Sequence, residues 1–329
     1  MHRIRLAALS VAAASILTAG TLSTAQAQSP DKPPADAATT VSAPARLGNG
    51  ARVDSDSAAA QVERFWTPQR MRDAIPLQIP DPPAAQSREA AAPGARAGSI
   101  PPAAPAASSP AARAGLTENL TVGKVYFTKP SDGLQYQCSA SAINSPSRQM
   151  VITAGHCVHE GKGGQWVRDW EFVPRYRSGK RPFGTFAATA FITFNGWVND
   201  SNFNWDVGMV TTRPLNGRKL VDVTGGQGLS WNYSRKQNVT IFGYPSNHDD
   251  GEIQWSCDGR THDSSRRLGI KCNFGKGSSG GPWLRQYNSS TGLGYVNGVM
   301  STIFKNGRNE SSYFGNGVKK LYDEQGSVT

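Results

Sequence analysis

Between residues 116 and 329 the apolar positions come in short runs separated by Gly, Asn and Pro. The runs are Val122–Thr128, Leu134–Ile143, Met150–Thr153, Trp166–Val173, Phe183–Phe194, Asp206–Thr212, Val239–Gly243, Ile253–Cys257, Leu268–Cys272, Pro282–Tyr287 and Tyr295–Phe304. Many short strands with turn signals between them predict an all-β sandwich or barrel. The period changes at the end of the chain. Val318, Leu321 and Tyr322 stand at i, i+3 and i+4, which predicts a closing helix over Gly315 to Gln325.

Ahead of residue 116 the pattern is different. A basic start, an apolar run from Leu6 to Gly20 and an Ala25-Gln26-Ala27 site read as an export signal over residues 1–27. The run is shorter than a bilayer needs, so a membrane span is not expected. Residues 28–115 carry 14 of the chain's 21 prolines and no cysteine. Such a stretch buries too little apolar surface to offset its ordering, and it is expected to be disordered or polyproline-like. It reads as a propeptide to be removed or as a retained linker. One island within it, Gln61 to Trp66, predicts a turn of helix.

Composition changes this picture little. The formal net charge is +11, but no Lys/Arg run interleaves with aromatics, so the excess reads as a solvated basic surface and nucleic acid is not an expected partner. Asp249-Asp250-Gly251-Glu252 shows only part of a calcium ligand set and reads as a polar turn. The four cysteines lack a C-x-x-C spacing and suit disulfides in an exported chain, in any of three pairings.

The chemistry sits in Gly277-Ser278-Ser279-Gly280-Gly281-Pro282. Glycines let a backbone approach a ligand closely, so the amides of Gly277 and Ser279 can point at one carbonyl oxygen as an oxyanion hole. A serine hydroxyl is a weak nucleophile without a base, which predicts a histidine and a carboxylate elsewhere. Of the five histidines, only His156 has a suggestive setting: a short apolar strand ending in Thr153-Ala154-Gly155-His156-Cys157. Asp206 opens an apolar strand in Asn204-Trp205-Asp206-Val207, where a buried acid needs a partner. His159, His248 and His262 read as exposed loop residues.

Order separates the possible folds. Gly277-x-Ser279-x-Gly281 also satisfies a nucleophile elbow, but that fold needs a histidine after the serine and none follows Ser279. The order His156, Asp206, Ser279 is that of the chymotrypsin type. Thr-Ala-Gly-His-Cys, Asn-x-Asp-Val and Gly-x-Ser-Gly-Gly-Pro together resemble that superfamily, in particular its secreted bacterial trypsin-like and glutamyl-endopeptidase-like branch. The resemblance covers about Leu116 to Thr329. It implies two six-stranded antiparallel β-barrels, at about 121–212 and 225–312, with a C-terminal helix at about 315–325. It also implies a Cys138–Cys157 bridge, which leaves Cys257–Cys272. The implied activity is that of a secreted, monomeric serine endopeptidase acting on proteins or peptides, with no metal or organic cofactor and no membrane attachment after signal removal. A non-catalytic binding protein on the same fold and a serine esterase are the alternatives.

Three departures limit the analogy. Ser278 stands where trypsin-type zymogens place the acid that pairs with a new N-terminus. Cys272 is seven residues before Ser279 rather than four, which alters the loop lining the primary pocket. Met300 replaces the histidine that glutamate-specific relatives carry before the pocket serine. The pocket candidates are Asn273, Ser301 and Thr302, with no side-chain preference assigned. Processing is expected at one position between Ala111 and Thr121, and to act by unblocking the cleft.

Overall fold

The computed structural model describes residues 36–78, 95–106, 118–264 and 267–329; the signal expected over 1–27 lies outside them. Three strands come from the N-terminal segment, β1 (Thr40–Pro44), β2 (Ile75–Pro76) and β3 (Gly98–Ile100). The first half adds β4 (Val122–Thr128), β5 (Gln135–Ile143), β6 (Met150–Thr153), β7 (Arg168–Pro174), β8 (Phe186–Phe194) and β9 (Gly208–Thr212). The second half adds β10 (Gly228–Trp231), β11 (Asn238–Gly243), β12 (Trp255–Arg260), β13 (His262–Ser264), β14 (Arg267–Lys271), β15 (Pro282–Asn288), β16 (Leu293–Val299), β17 (Thr302–Ile303) and β18 (Arg308–Ser311).

Strands β4 to β9 close on themselves: β8–β7–β4–β5–β6–β9 is a continuous ladder, and β9 pairs back onto β8. The ring encloses one apolar interior, with Val125, Phe127, Ile152, Phe172 and Val210 buried in it, and leaves the later half of one side of β8 for another strand. The second half consists of two sheets, β12–β11–β15–β16–β10–β3 and β13–β14–β18–β17. The Cys257–Cys272 bridge joins β12, at the edge of one sheet, to the end of β14 in the other, and a second apolar cluster, around Ile241, Ile270, Phe274 and Trp283, fills the space between them. The C-terminal helix, Asn316–Gln325, buries Val318, Leu321 and Tyr322 as its spacing predicts.

Aromatic and charged groups hold the two halves together. Lys124 of β4 is buried among the rings of Tyr126, Tyr176 and Tyr244, its ammonium 4.5 Å from the Tyr176 centroid and 3.1 Å from Glu252 Oε1. Burial pulls its pKa down to about 8 against the opposing pull of Glu252. Glu252 also accepts from Tyr176 Oη, so its carboxylate is committed to the seam rather than to a cation in the 249–252 turn.

The N-terminal segment departs from expectation. Residues 36–78 and 95–106 are folded onto the barrels. β1 lies antiparallel against the later half of β8, where β7 does not reach. Helix α1 (Asp56–Phe65) is capped by Ser55 Oγ, which accepts from the Ala58 amide, and it carries Asp56 in its first turn. Ala58, Val62 and Trp66 then fall on its buried side. Trp66 is fully enclosed and its indole donates to the Asp169 carbonyl at 2.5 Å. The average composition of 28–115 concealed two patches with apolar periodicity. β1 and α1 order because they borrow the open side of β8 and the flank of the first barrel, and β3 orders against β10 of the second half, rather than building a core of their own.

Candidate active site

Two neighbouring strands bring the histidine and the acid together. β6 and β9 pair with Thr153 opposite Gly208, so the residues just beyond that end, His156 and Asp206, meet. His156 sits in a single tight turn, Gly155–Cys157, held by the Cys138–Cys157 bridge. Asp206 follows the turn Phe203–Trp205, whose start is fixed by Asn202 Oδ1 accepting from the Asn204 amide. Three donors converge on the Asp206 carboxylate. The His156 backbone amide donates to Oδ1 at 2.8 Å, His156 Nδ1 to Oδ2 at 2.8 Å, and Ser301 Oγ to Oδ2 at 2.6 Å. A carboxylate accepts only, so Nδ1 carries a proton toward it. Both residues are buried.

The serine loop reaches the same end of the first barrel. Gly280 has φ +81°, and a Cβ there would lie 2.0 Å from Thr153 Oγ1 and 2.9 Å from the Ala154 amide, so only glycine allows this approach. Its amide donates to the Met300 carbonyl, while the Ser279 carbonyl accepts from the Ser139 amide at 2.7 Å. That carbonyl also lies 3.8 Å from Cys157 Sγ, beside the histidine turn. Ser279 Oγ and His156 Nε2 are each buried without a hydrogen-bond partner. Leaving a polar atom in that condition costs about 1–3 kcal/mol, an expense typical of functional positions. Ser278 Oγ donates to the Gly275 carbonyl and so shapes the turn. Gly277, at φ +84°, donates its amide to the carbonyl of Leu77, 3.2 Å away in the N-terminal segment.

The pocket candidates divide. Ser301 is turned onto Asp206 and belongs with the acid. Thr302 Oγ1 accepts from the buried Arg267 guanidinium, which also pairs with Glu310; sequence reasoning did not single out either partner. Asn273 is exposed, its carbonyl taken by Asn247 Nδ2 at 2.9 Å. His159, expected on the surface, is buried instead. Its Nδ1 accepts from the Gly161 amide, its ring meets Trp166 edge-on at 5.0 Å, and burial depresses its pKa to about 4. The remaining cysteines pair as Cys257–Cys272.

No family model matches the chain. An extracellular metalloprotease of Bacillus subtilis is 27% identical over 39% of this chain and 39% of its own length. A glutamyl endopeptidase of Bacillus licheniformis is 28% identical over 43% of this chain and 44% of its own length. The chain thus spans less than half the length of these curated relatives. Among the described residues one trio of metal-ligand side chains comes together, Cys138, His156 and Cys157. Its two sulfurs are bonded to each other and offer no thiolate, so the set does not fit a metal. The crystal structure of the protease Anisep from Arthrobacter nicotinovorans is 32% identical, with a TM-score of 0.60 over 65% of this chain and 98% of that one. With nearly the whole of that protease covered at this identity, the chain belongs to the chymotrypsin-like serine proteases, in the bacterial branch of trypsin-like and glutamyl endopeptidases.

Proposed function

We propose that this chain is a secreted serine endopeptidase in which His156, Asp206 and Ser279 form the catalytic triad. The observation that carries the reading is the Asp206 carboxylate gripping both the backbone and the Nδ1 of His156, which leaves Nε2, buried without a hydrogen-bond partner, as the ring nitrogen available to a hydroxyl. Ser279 Oγ attacks the scissile carbonyl carbon as His156 Nε2 takes its proton. The developing oxyanion is held by the amides of Gly277 and Ser279. Collapse breaks the C–N bond, and the imidazolium returns the proton to the leaving amine. Water, deprotonated by the same nitrogen, then cleaves the acyl-Ser279 ester and releases the acid. Asp206 orients the ring and stabilises its charged form throughout. No helix among the described residues is long and apolar enough to cross a membrane, and one relative is named as extracellular. Export through the 1–27 signal is consistent with both.

Ser279→Ala should lower kcat by roughly 10⁶, and His156→Ala by a similar factor, because triad members act as a unit. Ser278→Ala should keep most activity. A fluorophosphonate probe should label Ser279. Labelling at Ser278, or none on any folded form, sinks the assignment.

A further inference from the structure

The proposed oxyanion amide is already in use. Gly277 N donates to the Leu77 carbonyl, and the neighbouring Leu77 amide donates to the Gln137 carbonyl at 3.0 Å. Just before it, β2 pairs parallel with β5, placing Ile75 opposite Tyr136 and Pro76 opposite Gln137. Pro76 Cβ would be 3.3 Å from a Cβ at Gly277, so the segment also fills the space over the loop. Leu77 is 1% exposed. It belongs to the large apolar cluster that takes in the first barrel and the seam, and not to the smaller one of Phe274 and Met300. The segment therefore presents a buried carbonyl to the Gly277 amide.

Resting on the peptidase reading above, we infer that residues 36–78 are an inhibitor of this site, docked on the first barrel and spending the Gly277 amide on the Leu77 carbonyl. The docking surface is extensive and chemically mixed. β1 adds five residues in register to β8, from Thr40 opposite Phe194 to Pro44 opposite Ala190. Trp66 is buried against Tyr126, their rings 5.3 Å apart, and Arg213 Nε meets Asp56 at 2.7 Å. Gly48 N donates to Asp169 Oδ1 at 2.7 Å. These contacts lie away from the catalytic groups and persist whether or not the chain is cut between 78 and 118. A single cut in that interval would leave the inhibitor seated, so activation requires its release or its destruction.

The test compares full-length secreted chains. One has the native sequence, one lacks residues 75–78, and one carries Trp66→Ala. All are assayed for fluorophosphonate labelling of Ser279 and for hydrolysis of a short chromogenic peptide mixture. The native chain should react at least about tenfold more slowly than either variant, since only the fraction with the segment displaced is competent. Deleting 75–78 leaves β1 and α1 docked, so it keeps the test valid should Trp66→Ala fail to fold. Equal labelling and turnover in the native and deleted chains would overturn the inhibitor while leaving the peptidase intact. Cleavage of the native chain after Leu77 by its own Ser279 would also overturn it, by making the segment a substrate. If no form labels while folded, the peptidase reading itself falls.

Discussion

Among the described residues of the first half, Asp206 and Glu171 are fully buried carboxyl groups, and their surroundings are opposite. Asp206 receives three hydrogen bonds, from a backbone amide, an imidazole and a hydroxyl. Glu171, on β7, has both oxygens buried with no hydrogen-bond partner. Burial pushes its pKa well above 4.5, with Arg181 pulling it down and Glu63 of α1 pushing it up. A buried carboxylate needs donors to stay charged, and one without them takes up a proton instead. Asp206 is thus surrounded by the donors a carboxylate accepts from, whereas burial favours the protonated form of Glu171.

The sharpest way to break the Asp206 side is to keep its shape and remove its charge. Asp206→Asn should lower kcat by about 10⁴ near neutral pH, because an amide can donate to Nδ1 and so favour the wrong tautomer of His156. Steady-state kinetics on a peptide substrate measures this. A loss of less than about tenfold would show that another group orients the ring.

Removing one donor instead of the charge should do less. Ser301→Ala leaves Asp206 with its two His156 bonds but without the 2.6 Å hydroxyl contact. A hydrogen bond to a charged group contributes about 1.5–3 kcal/mol. kcat should fall by about 10- to 100-fold with KM nearly unchanged. A rise in KM with kcat preserved would return Ser301 to the pocket, where the sequence placed it.

On the Glu171 side the expected effect is a shift in pH dependence. Glu63 of α1 adds to the rise in the Glu171 pKa, so docking of α1 favours a protonated Glu171 and is strongest below the ordinary value of 4.5. It weakens as pH climbs from there toward the raised value. The charged and titratable groups facing it are Glu63 from α1, Arg181 from the loop after β7, and Tyr126 from β4. Activity of the full-length chain should therefore rise with pH more steeply than that of the chain lacking 75–78. Glu171→Gln should flatten the difference and hold the segment more tightly at neutral pH. Identical profiles in the native chain and the Glu171→Gln variant would show that Glu171 does not report on docking.

The contrast also explains what was legible in the sequence. Thr153 to Cys157, Asp206 and the glycine-rich serine loop were readable because close packing confines their neighbours to small or fixed residue types, as the 2.0 Å approach at Gly280 illustrates. Strands such as Val122–Thr128 and Met150–Thr153 carry strong β-formers between clear turns and were read to the residue. Of the N-terminal segment, only the helical turn at Gln61–Trp66 was legible, and it is the last part of α1; β1 and the start of α1 were not, because what orders them is a surface distant in the sequence. Val41 and Trp66 cannot announce that β8 and Tyr126 await them. The buried state of His159 and the pairing of Arg267 with Thr302 and Glu310 were hidden for the same reason.

A third buried acid lies between the two extremes and concerns the start of the mature chain. Glu118 is 2% exposed at its side chain; one oxygen pairs with Arg177, and the other lies 3.8 Å from Arg175 Nε. It is partnered, unlike Glu171, but by cations rather than by the donors that surround Asp206. Next to it, the Asn119 amide donates to Gln254 Oε1 and its side chain to the Gly292 carbonyl, which ties this point to the second half. Because Ser278 cannot pair with a new amino terminus, chains starting at Ala114 and at Leu116 should have equal kcat and equal stability. A chain starting at Asn119 should keep its kcat, since Glu118 touches no catalytic group. It should lose about 1–3 kcal/mol of stability, as Arg175 and Arg177 lose a buried carboxylate and a charged terminus lands beside Gln254. Urea unfolding of the three forms measures the difference, and active-site titration normalises the rates. A lower kcat confined to the Asn119 start would mean that the terminus does reach the site. Equal stability across all three would reduce Glu118 to a surface ion pair.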